Sequence, residues 1–489
     1  MKGQYQLTAK NTIFYSLGNM AGKLSGVILL PLYAKFLSIE ELGLVGLFES
    51  IYMLFLILSG MGIKGALMRW YWDKEKVRKQ KSILFSALSF NSATALIFTV
   101  LSYFAFIFFS DFIFQTTVTY NVVILLIVSN FLKMMVDFPQ LLQRMQQKAM
   151  AQTIYQIIIL IINVSVTAYL LIYKDFKLEA VLWGQILANG IVLIIQIPYL
   201  ISNSEFKFEK IEIKEMFHFG YPLFLSSLLT YFLVLTDKFI INYYNGLADS
   251  GLFTLALKIS TVVQLVFVTS FNQAYVHVFY KNMDEEGMKK FFTKTLNYFT
   301  LGISFLSMIL ILFSKEIIIL FSVGNTDYWG AYIIVPFLVT SLIFTGINGQ
   351  LILPFQKMKM TKLISKITII SAAINFVLNL ILIPHLSSIG AAISTGLAQL
   401  FSMICYFYFM KKRDVAEFEL AKILKIFGLI AATLFVYYII NDYSLLYRIV
   451  LKILLLSIFA VFIYFFNILD NNEIKNFTNF IKEKIKQKK

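Results

Sequence analysis

The chain consists of long apolar segments separated by short polar ones. Fourteen of these segments reach about 20 residues, the length that crosses a hydrocarbon core of about 30 Å. They are residues 12–35, 42–63, 82–109, 117–137, 153–173, 179–201, 217–242, 251–280, 291–314, 329–353, 363–384, 388–410, 422–440 and 447–466. Of the 489 residues, 59% are apolar and 14% are charged, whereas soluble domains are about 45–50% apolar and about 25% charged. The sequence excludes a soluble globular fold and predicts an all-α polytopic membrane protein with about 14 transmembrane helices.

Lysine and arginine are distributed unevenly over the polar segments. If the spans alternate in direction, 33 of the 43 basic residues fall on the side that holds both termini. Six fall on the other side and four lie inside spans. Cytoplasmic loops carry an excess of Lys and Arg, so the pattern predicts that both termini are cytoplasmic. The net charge of +16 is then a topology signal, with membrane lipids as contacts, and does not indicate nucleic-acid binding.

The sequence offers no metal, cofactor or disulfide chemistry. Cys405 is the single cysteine, and His218, His277 and His385 are too far apart in sequence to suggest a structural zinc site. The segments between spans are too short for a catalytic domain. We therefore expect no cofactor and no catalytic residues, and we expect the function to reside within the helical bundle.

An internal repeat is visible when the chain is aligned with itself. An offset of 208 places residues 36–44 on 244–252 and pairs Glu41 with Asp249 and Gly43 with Gly251. An offset of 212 pairs Asn163 with Asn375. Six spans are an even number, so the two halves enter the membrane from the same side. The repeat predicts two six-helix lobes related by a pseudo-twofold axis along the membrane normal, as in secondary transporters.

This repeat divides the chain into five parts. They are an N-terminal lobe at 1–201, a cytoplasmic linker at 202–216, a C-terminal lobe at 217–410, two extra helices at 411–466 and a basic tail at 467–489. In the tail, Ile474, Phe477, Ile481 and Ile485 recur at helical spacing among lysines. That pattern is typical of an amphipathic helix on the cytoplasmic leaflet, and an unstructured basic tail is the alternative.

Several charged residues fall at depths where a charge is costly. Lys23, Glu49, Asp237 and Lys258 lie well inside spans, where an unpaired charge costs about 2.5–3.5 kcal/mol. Asp237 and Lys258 lie on consecutive helices, each within about 10 Å of the turn between them, so we expect them to pair. These four residues either bridge helices or line a binding cavity. The sequence leaves both possibilities open.

Two further lysines lie closer to the ends of their spans. The four-carbon side chains of Lys133 and Lys238 are long enough to carry the ammonium groups to the membrane surface. We expect both to do so. They are kept as secondary candidates for a binding site, together with Lys64 and Arg69.

The stretch 218–260 resembles the seventh-helix region of bacterial polysaccharide and O-antigen flippases. It contains a Gly-Tyr-Pro entry at 220–222, an Asp-Lys pair at 237–238, a turn bounded by Gly246 and Gly251, and Lys258 in the next helix. Residues 36–44 resemble the first turn of the same family. This family belongs to the superfamily of multidrug, oligosaccharidyl-lipid and polysaccharide exporters.

The resemblance implies a flippase in the bacterial inner membrane for an undecaprenyl-diphosphate-linked oligosaccharide. It implies that Lys23 and Lys258 bind the diphosphate and that Glu49 and Asp237 act in gating or coupling. Lysine can hold phosphate as a point charge. A proton or sodium ion is the expected coupling ion. A polysaccharide polymerase and glycosyltransferases are the expected partners.

Two alternatives remain. One is an ion-coupled drug or metabolite antiporter of the same superfamily. The two extra helices favour the flippase over this antiporter, because they could form a groove for a lipid tail. The other is a membrane-embedded polysaccharide polymerase or acyltransferase. Such an enzyme needs a large outer loop or a cluster of His, Asp and Arg near the surface, and the predicted outer loops contain one His and six basic residues.

Overall fold

A computed structural model describes residue 18 and residues 24–71, 74–116, 118–282, 287–413, 420–440 and 445–465. Within these ranges every regular element is helical. The helices are α1 (Leu30–Phe36, preceded by helical residues 24–28), α2 (Ile39–Gly60), α3 (Ile63–Trp70), α4 (Gln80–Phe114), α5 (Tyr120–Met145), α6 (Ala149–Tyr173), α7 (Leu178–Asn203), α8 (Lys210–Asn245), α9 (Leu247–Val263), α10 (Thr269–Asn282), α11 (Met288–Leu312), α12 (Ser314–Phe321), α13 (Ala331–Lys357), α14 (Thr361–Lys412), α15 (Leu420–Ile440) and α16 (Leu445–Phe465). A π-helical turn at Gln264–Val268 joins α9 to α10, and 3₁₀ turns lie at Lys74–Lys79 and Thr326–Tyr328.

These helices confirm the predicted fold class. Each of the fourteen predicted spans overlaps a helix in the described part of the chain. Nine segments of that part meet the length and hydropathy expected of a membrane crossing. One of the nine, Thr361–Lys412, contains two predicted spans, because the backbone kinks at Ser387 with φ 48° and ψ −132°. Helices α1–α7 form the first lobe and α8–α14 form the second.

The beginning of α2 shows how the sequence sets a helix boundary. Ser38 and Glu41 form a capping box, in which the Glu41 N–H donates to Ser38 Oγ at 3.2 Å and the Ser38 N–H donates to Glu41 Oε2 at 2.8 Å. Such a pair satisfies two N–H groups that the first turn leaves open. The corresponding acid of the second lobe, Asp249, instead accepts a hydrogen bond from Ser387 Oγ at 2.7 Å. The repeated acid is therefore used differently in the two lobes.

The bundle has two distinct ends. We call the end that carries the 64–81 loop the basic end, and the end that carries Ser38 and Gly246 the opposite end. At the basic end the predicted linker is attached to the first lobe. Lys76 pairs with Glu212 and with Glu215 (3.1 Å), and Lys79 pairs with Glu209 at 3.8 Å. The hydrogen bond from Lys207 is the largest cause that lowers the pKa of the Glu209 carboxyl.

At the opposite end the two lobes meet through repeat-related glycines. A Cβ placed on Gly43 would lie 2.3 Å from the Leu247 carbonyl oxygen, and one on Gly251 would lie 2.0 Å from the Ile39 carbonyl oxygen. The two contacts are related by the 208 offset, since 39 and 43 correspond to 247 and 251. The pseudo-twofold axis therefore passes between the beginnings of α2 and α9. At Gly43 and Gly251 the two helices are too close for any side chain larger than the hydrogen of glycine.

A second close approach lies at the basic end. Gly62, in the turn between α2 and α3, has φ 78° and faces Gly220 of α8. A Cβ on either glycine would come within 2.6 Å of the other's carbonyl oxygen. Helix α8 therefore touches the first lobe near its own beginning, and the space between the lobes lies between these two contacts.

Helix α16 packs on the second lobe through a buried ionic cluster, and α15 through a hydrogen bond between the hydroxyls of Tyr437 and Ser314. The Glu316 carboxylate of α12 accepts from Arg448 Nε at 2.7 Å and from Lys452 Nζ at 2.8 Å. Lys452 is fully buried inside α16, within the predicted span 447–466, although the count of basic residues places it among the six on the side opposite the termini. Glu316 provides its partner at that depth. The predicted amphipathic tail at 467–489 lies outside the described residues.

Candidate functional site

A cavity lined by charged and polar side chains lies between the two lobes. Its volume is about 690 Å³, which is within the range of ligand sites. The first helix with α2, α5, α6 and α7 of the first lobe, and α8, α9, the π-helical turn, α13 and α14 of the second, line it. Its titratable lining residues include three acids and three lysines, namely Glu49, Asp137, Asp237, Lys133, Lys238 and Lys258. Three of the four charged residues that the sequence placed at membrane depth thus meet in one cavity.

An ion pair between Glu49 and Lys258 crosses from one lobe to the other. The two residues lie about 15 Å along α2 and α9 from the opposite end by helical rise, so neither reaches a membrane surface. The Glu49 side chain is 42% accessible through the cavity, and that of Lys258 is 12% accessible. A Cβ on Gly26 would lie 3.2 Å from the Lys258 ammonium, so the first helix passes beside the pair.

Asp237 does not pair with Lys258, so that prediction was wrong. The Asp237 carboxylate accepts hydrogen bonds from Asn379 Nδ2 and, at 3.2 Å, from Thr395 Oγ1. Asn375 donates to Thr395 Oγ1 at 3.1 Å and accepts from Asn379 at 3.2 Å. These three neutral residues of α14, which we call the Asp237 cage, hold the acid within the second lobe. Lys258 faces α2 instead.

Lys238 and Lys133 also face inward, which corrects the expectation that they reach the membrane surface. The Lys238 ammonium donates to the Gly46 carbonyl oxygen at 3.0 Å, and the residue is 9% exposed. The Lys133 ammonium lies 3.7 Å from the centroid of the Tyr52 ring. Both find a polar or aromatic partner closer than the surface. Among the described residues, neither has a carboxylate oxygen within 4.0 Å.

The remaining candidates lie towards the basic end or outside the described residues. Lys64 pairs at 3.1 Å with Asp137, which itself lines the cavity. The Arg69 guanidinium lies 5.0 Å from the Phe219 ring, where it contributes to the contact between α3 and α8. Lys23 lies outside the described residues, so its predicted place in the cavity stays a prediction.

Sequence reasoning missed one part of the cavity. Five carboxamide side chains of α5, α6 and α7 line it, namely Gln140, Gln156, Asn163, Gln185 and Asn189. Of the five, only Asn163 is marked by the repeat, through its pairing with Asn375. Amides on three consecutive apolar spans were a usable signal, although a neutral amide is much less unusual inside a span than a charge.

The charges of the cavity are paired unequally. Glu49 and Asp137 each have a lysine partner, whereas Asp237 has neutral partners. Lys133 and Lys238 rest against a ring and a carbonyl. Two ammonium groups therefore face the cavity without a carboxylate at contact distance in the described structure. Such an arrangement can accept an anionic group without first breaking an ion pair.

Comparison with known proteins identifies the family. A family model described as "Polysaccharide biosynthesis protein" matches residues 8–283, more than half of the chain. The chain belongs to this family. The family resemblance predicted from the 218–260 stretch is confirmed. A relative in this comparison, the Lsg locus putative protein 1 of Haemophilus influenzae, is 21% identical over 283 residues, which are 57% of this chain and 67% of the relative.

Solved structures show that this polysaccharide biosynthesis protein shares a transporter fold. The lipid II flippase MurJ in an inward closed conformation superposes with a TM-score of 0.73 at 18% identity, over 92% of this chain and 99% of MurJ. An inward-facing multidrug resistance MATE transporter gives a TM-score of 0.64 at 14% identity, over 83% and 97%. The Vibrio cholerae MATE transporter VcmN gives 0.58 at 14% identity, over 85% and 99%. At these identities the likeness shows the fold alone.

Proposed function

We propose that the chain is a flippase that moves an isoprenoid-diphosphate-linked oligosaccharide across the bacterial inner membrane by alternating access. The observation that carries the proposal is the lysine-bearing cavity between the lobes, which α2 and α9 line and above which they make close contact at Gly43 and Gly251. The substrate has to come from glycosyltransferases that build the sugar on the lipid. A polysaccharide polymerase would consume the translocated product.

The charge balance of the cavity supports a diphosphate. Lys133 and Lys238 offer ammonium groups without a close carboxylate, and Lys258 is held by a Glu49 side chain that stays accessible. Each phosphate of a diphosphate diester carries one negative charge. An approaching phosphate can bind Lys133 and Lys238 directly and compete with Glu49 for Lys258. Lys23 would add a further cation, if its predicted place in the cavity holds.

The Asp237 cage supports a coupling role for that acid. Asp237 is surrounded by neutral oxygen and amide groups instead of a lysine, so a proton or a sodium ion can neutralise it. With Asp237 neutral, the charged carboxylates at the cavity are those of Glu49 and Asp137. The lysines number four when the Asp137 partner Lys64 is counted with the three that line the cavity. The resulting excess of two positive charges matches a diphosphate. We propose that ion binding at Asp237 and diphosphate binding favour each other for this reason.

A flipping assay tests the proposed function. Proteoliposomes containing the chain and a fluorescently labelled undecaprenyl-diphosphate glycan are exposed to an impermeant quencher. We expect the chain to make the inner-leaflet label accessible and an imposed proton or sodium gradient to change the rate. The Asp237→Asn variant keeps hydrogen-bonding groups in the cage but has no charge to neutralise. We expect its rate to lose the response to the gradient, a loss of about tenfold or more.

The assay also contains the outcomes that contradict the proposal. Lipid scrambling by empty liposomes sets the background, and the Lys174→Ala variant, changed in an exposed residue at the opposite end, serves as the protein control. A labelled glycolipid that stays in its leaflet while a cationic dye is exchanged for protons would indicate the antiporter alternative. Conversion of the glycan to a longer or acylated product would indicate an enzyme.

We further propose that the basic end is cytoplasmic, which the 33 to six distribution of basic residues supports. Single cysteines at Lys174 and Glu205, both exposed and at different ends, test this in a Cys405→Ala background. In intact cells an impermeant thiol reagent should label Lys174→Cys and leave Glu205→Cys unlabelled. The reverse labelling would invert the proposed topology.

A further inference from the structure

The two walls of the cavity differ in chemistry. On the first-lobe wall, α5, α6 and α7 present the five carboxamides already named, which we call the amide wall: Gln140, Gln156, Asn163, Gln185 and Asn189. On the second-lobe wall, α13 presents Leu338, Ser341, Leu342 and Thr345, and the π-helical turn adds a single carboxamide, Gln264. Of these, Thr345 already donates its hydroxyl to the Ser341 carbonyl oxygen of its own helix, at 2.9 Å. The amide wall therefore holds five of the six carboxamides that line the cavity.

Each member of the amide wall uses only one of its two polar side-chain atoms within the described structure. Gln156 Nε2 donates to Gln140 Oε1 at 2.6 Å, and Asn189 Nδ2 donates to the Gln185 carbonyl oxygen at 2.7 Å. Hydroxyl groups of Ser129 and Thr167 donate to Gln185 Oε1 and Asn163 Oδ1 at 3.0 and 3.4 Å. The atoms without a partner among the described residues are Gln140 Nε2, Gln156 Oε1, Asn163 Nδ2, Gln185 Nε2 and Asn189 Oδ1.

The repeat shows why Asn163 is open to the cavity although its counterpart in the second lobe is not. Asn163 corresponds to Asn375, and Asn375 is occupied in the Asp237 cage of the second lobe. The 208 offset places Leu29 where the second lobe has Asp237. Without an acid to hold, Asn163 keeps its amide donor open to the cavity. The same ancestral position thus serves an acid in one lobe and faces the cavity in the other.

We infer that the amide wall recognises the sugar of the substrate by binding its uncharged hydroxyl groups. This inference rests on the proposed function and adds the part of the substrate that the lysines do not contact. Three open NH₂ groups and two open carbonyl oxygens line the wall. A sugar hydroxyl both donates and accepts, so it matches such a mixture. A phosphate or carboxylate would use only the donors, and an ammonium group only the acceptors.

The cost of removing one amide follows from this matching. Water can satisfy the amides in the empty cavity, and a hydroxyl that replaces the water keeps the same hydrogen bonds. A leucine in place of an amide leaves the sugar hydroxyl without its hydrogen bond. The lipid diphosphate does not use that amide, so its own binding should not change. We expect each such variant to reduce the affinity that the sugar adds by about fivefold.

Paired binding measurements on the purified full chain in nanodiscs test the inference. The probes are undecaprenyl diphosphate and the undecaprenyl-diphosphate-linked glycans extracted from cells in which the chain is native. The variants are Gln156→Leu and Asn163→Leu. The control is Asn121→Leu, which removes an exposed amide of α5 outside this cavity. Unchanged elution and melting profiles establish that each variant is folded.

The expected result is that the wild type binds the glycan lipid more tightly than the bare lipid. Each amide variant should reduce this difference by about fivefold, while the control and the binding of the bare lipid remain unchanged. Equal binding of the two lipids by the wild type, or amide variants that behave like the control, would contradict sugar recognition by the amide wall. Neither outcome would contradict the proposed flippase function. A wild type that binds neither probe would overturn the proposed function itself.

Discussion

A Lys258→Ala variant is expected to lose glycolipid flipping by about 10- to 100-fold, the worth of a charge-assisted hydrogen bond. Lys258 has only Glu49 as its ionic partner in the described structure, and the carboxylate remains accessible from the cavity. A phosphate that enters the cavity can therefore take over the ammonium group. Lys258→Arg keeps the positive charge, and we expect it to retain part of the activity.

The same variant should also lose stability, so the two effects have to be separated. Removing one partner of a buried pair leaves the other charge unpaired, at about 3–5 kcal/mol. Glu49 is 42% accessible, and water reduces the penalty to about 1–2 kcal/mol. The Glu49→Ala, Lys258→Ala double variant removes both charges and should recover most of that stability. Thermal unfolding in detergent measures this recovery.

The double variant then decides what the pair does. If Lys258 binds the substrate, the double variant folds normally and still fails to flip the glycolipid. If the pair only holds α2 to α9, restoring stability restores transport as well. Full activity of the double variant would remove Lys258 from the proposed diphosphate site. Lys174→Ala serves as the control for loss of a lysine that the cavity does not contain.

The sequence predicted the parts of this site that depend on depth. Segment length and charge placement predicted the spans, and the cost of a charge at membrane depth led to Glu49, Asp237 and Lys258, which all line the cavity. The repeat also located Gly43 and Gly251. Both glycines fit the 208 offset, and at both the packing leaves no room for a side chain. These features follow from one coordinate, the position along the membrane normal.

Which charges pair depends on the direction in which each side chain leaves its helix. The depth of a residue in the membrane does not determine that direction. Asp237 and Lys258 lie at similar depths on consecutive helices, yet one faces α14 and the other faces α2. The direction around a helix axis follows from packing. In apolar spans, where residues on every side are hydrophobic, periodicity carries little information about it. The same limit explains why Lys238 turned out to bind the Gly46 carbonyl instead of reaching the surface.

The contact between Gly43 and Gly251 predicts the second large effect. A Cβ on Gly251 would lie 2.0 Å from a backbone carbonyl oxygen, and one on Gly43 would lie 2.3 Å from its counterpart. A real Cβ cannot occupy that space, and a backbone cannot yield as a side-chain tip can. We expect Gly251→Ala and Gly43→Ala each to force α2 and α9 apart at the opposite end. Overpacking of this kind costs about 1–3 kcal/mol.

Separation at this contact should open the cavity to the opposite side. Thr261 lines the cavity, so a Thr261→Cys probe in the Cys405→Ala background reports access to it. In intact cells an impermeant thiol reagent should leave the probe unlabelled in the parent, where the opposite end is closed. Addition of Gly251→Ala should make the probe reactive. A shift of 1–3 kcal/mol changes the open-to-closed ratio by about 5- to 150-fold, so the change in labelling rate should be large.

A glycine in open space provides the matched control, because loss of any glycine also stiffens a helix. A Cβ on Gly349 of α13 would have no atom of the described residues within 4 Å, so Gly349→Ala adds the same methyl group without a clash there. That variant should be as stable as the parent or more so, with an unlabelled probe and normal flipping. The pseudo-twofold relation adds a stricter demand. Since Gly43 and Gly251 make equivalent contacts, their alanine variants must behave alike, with open cavities and slow flipping. If either one flips the glycolipid at the parent rate with a protected probe, closure of the opposite end does not depend on this contact.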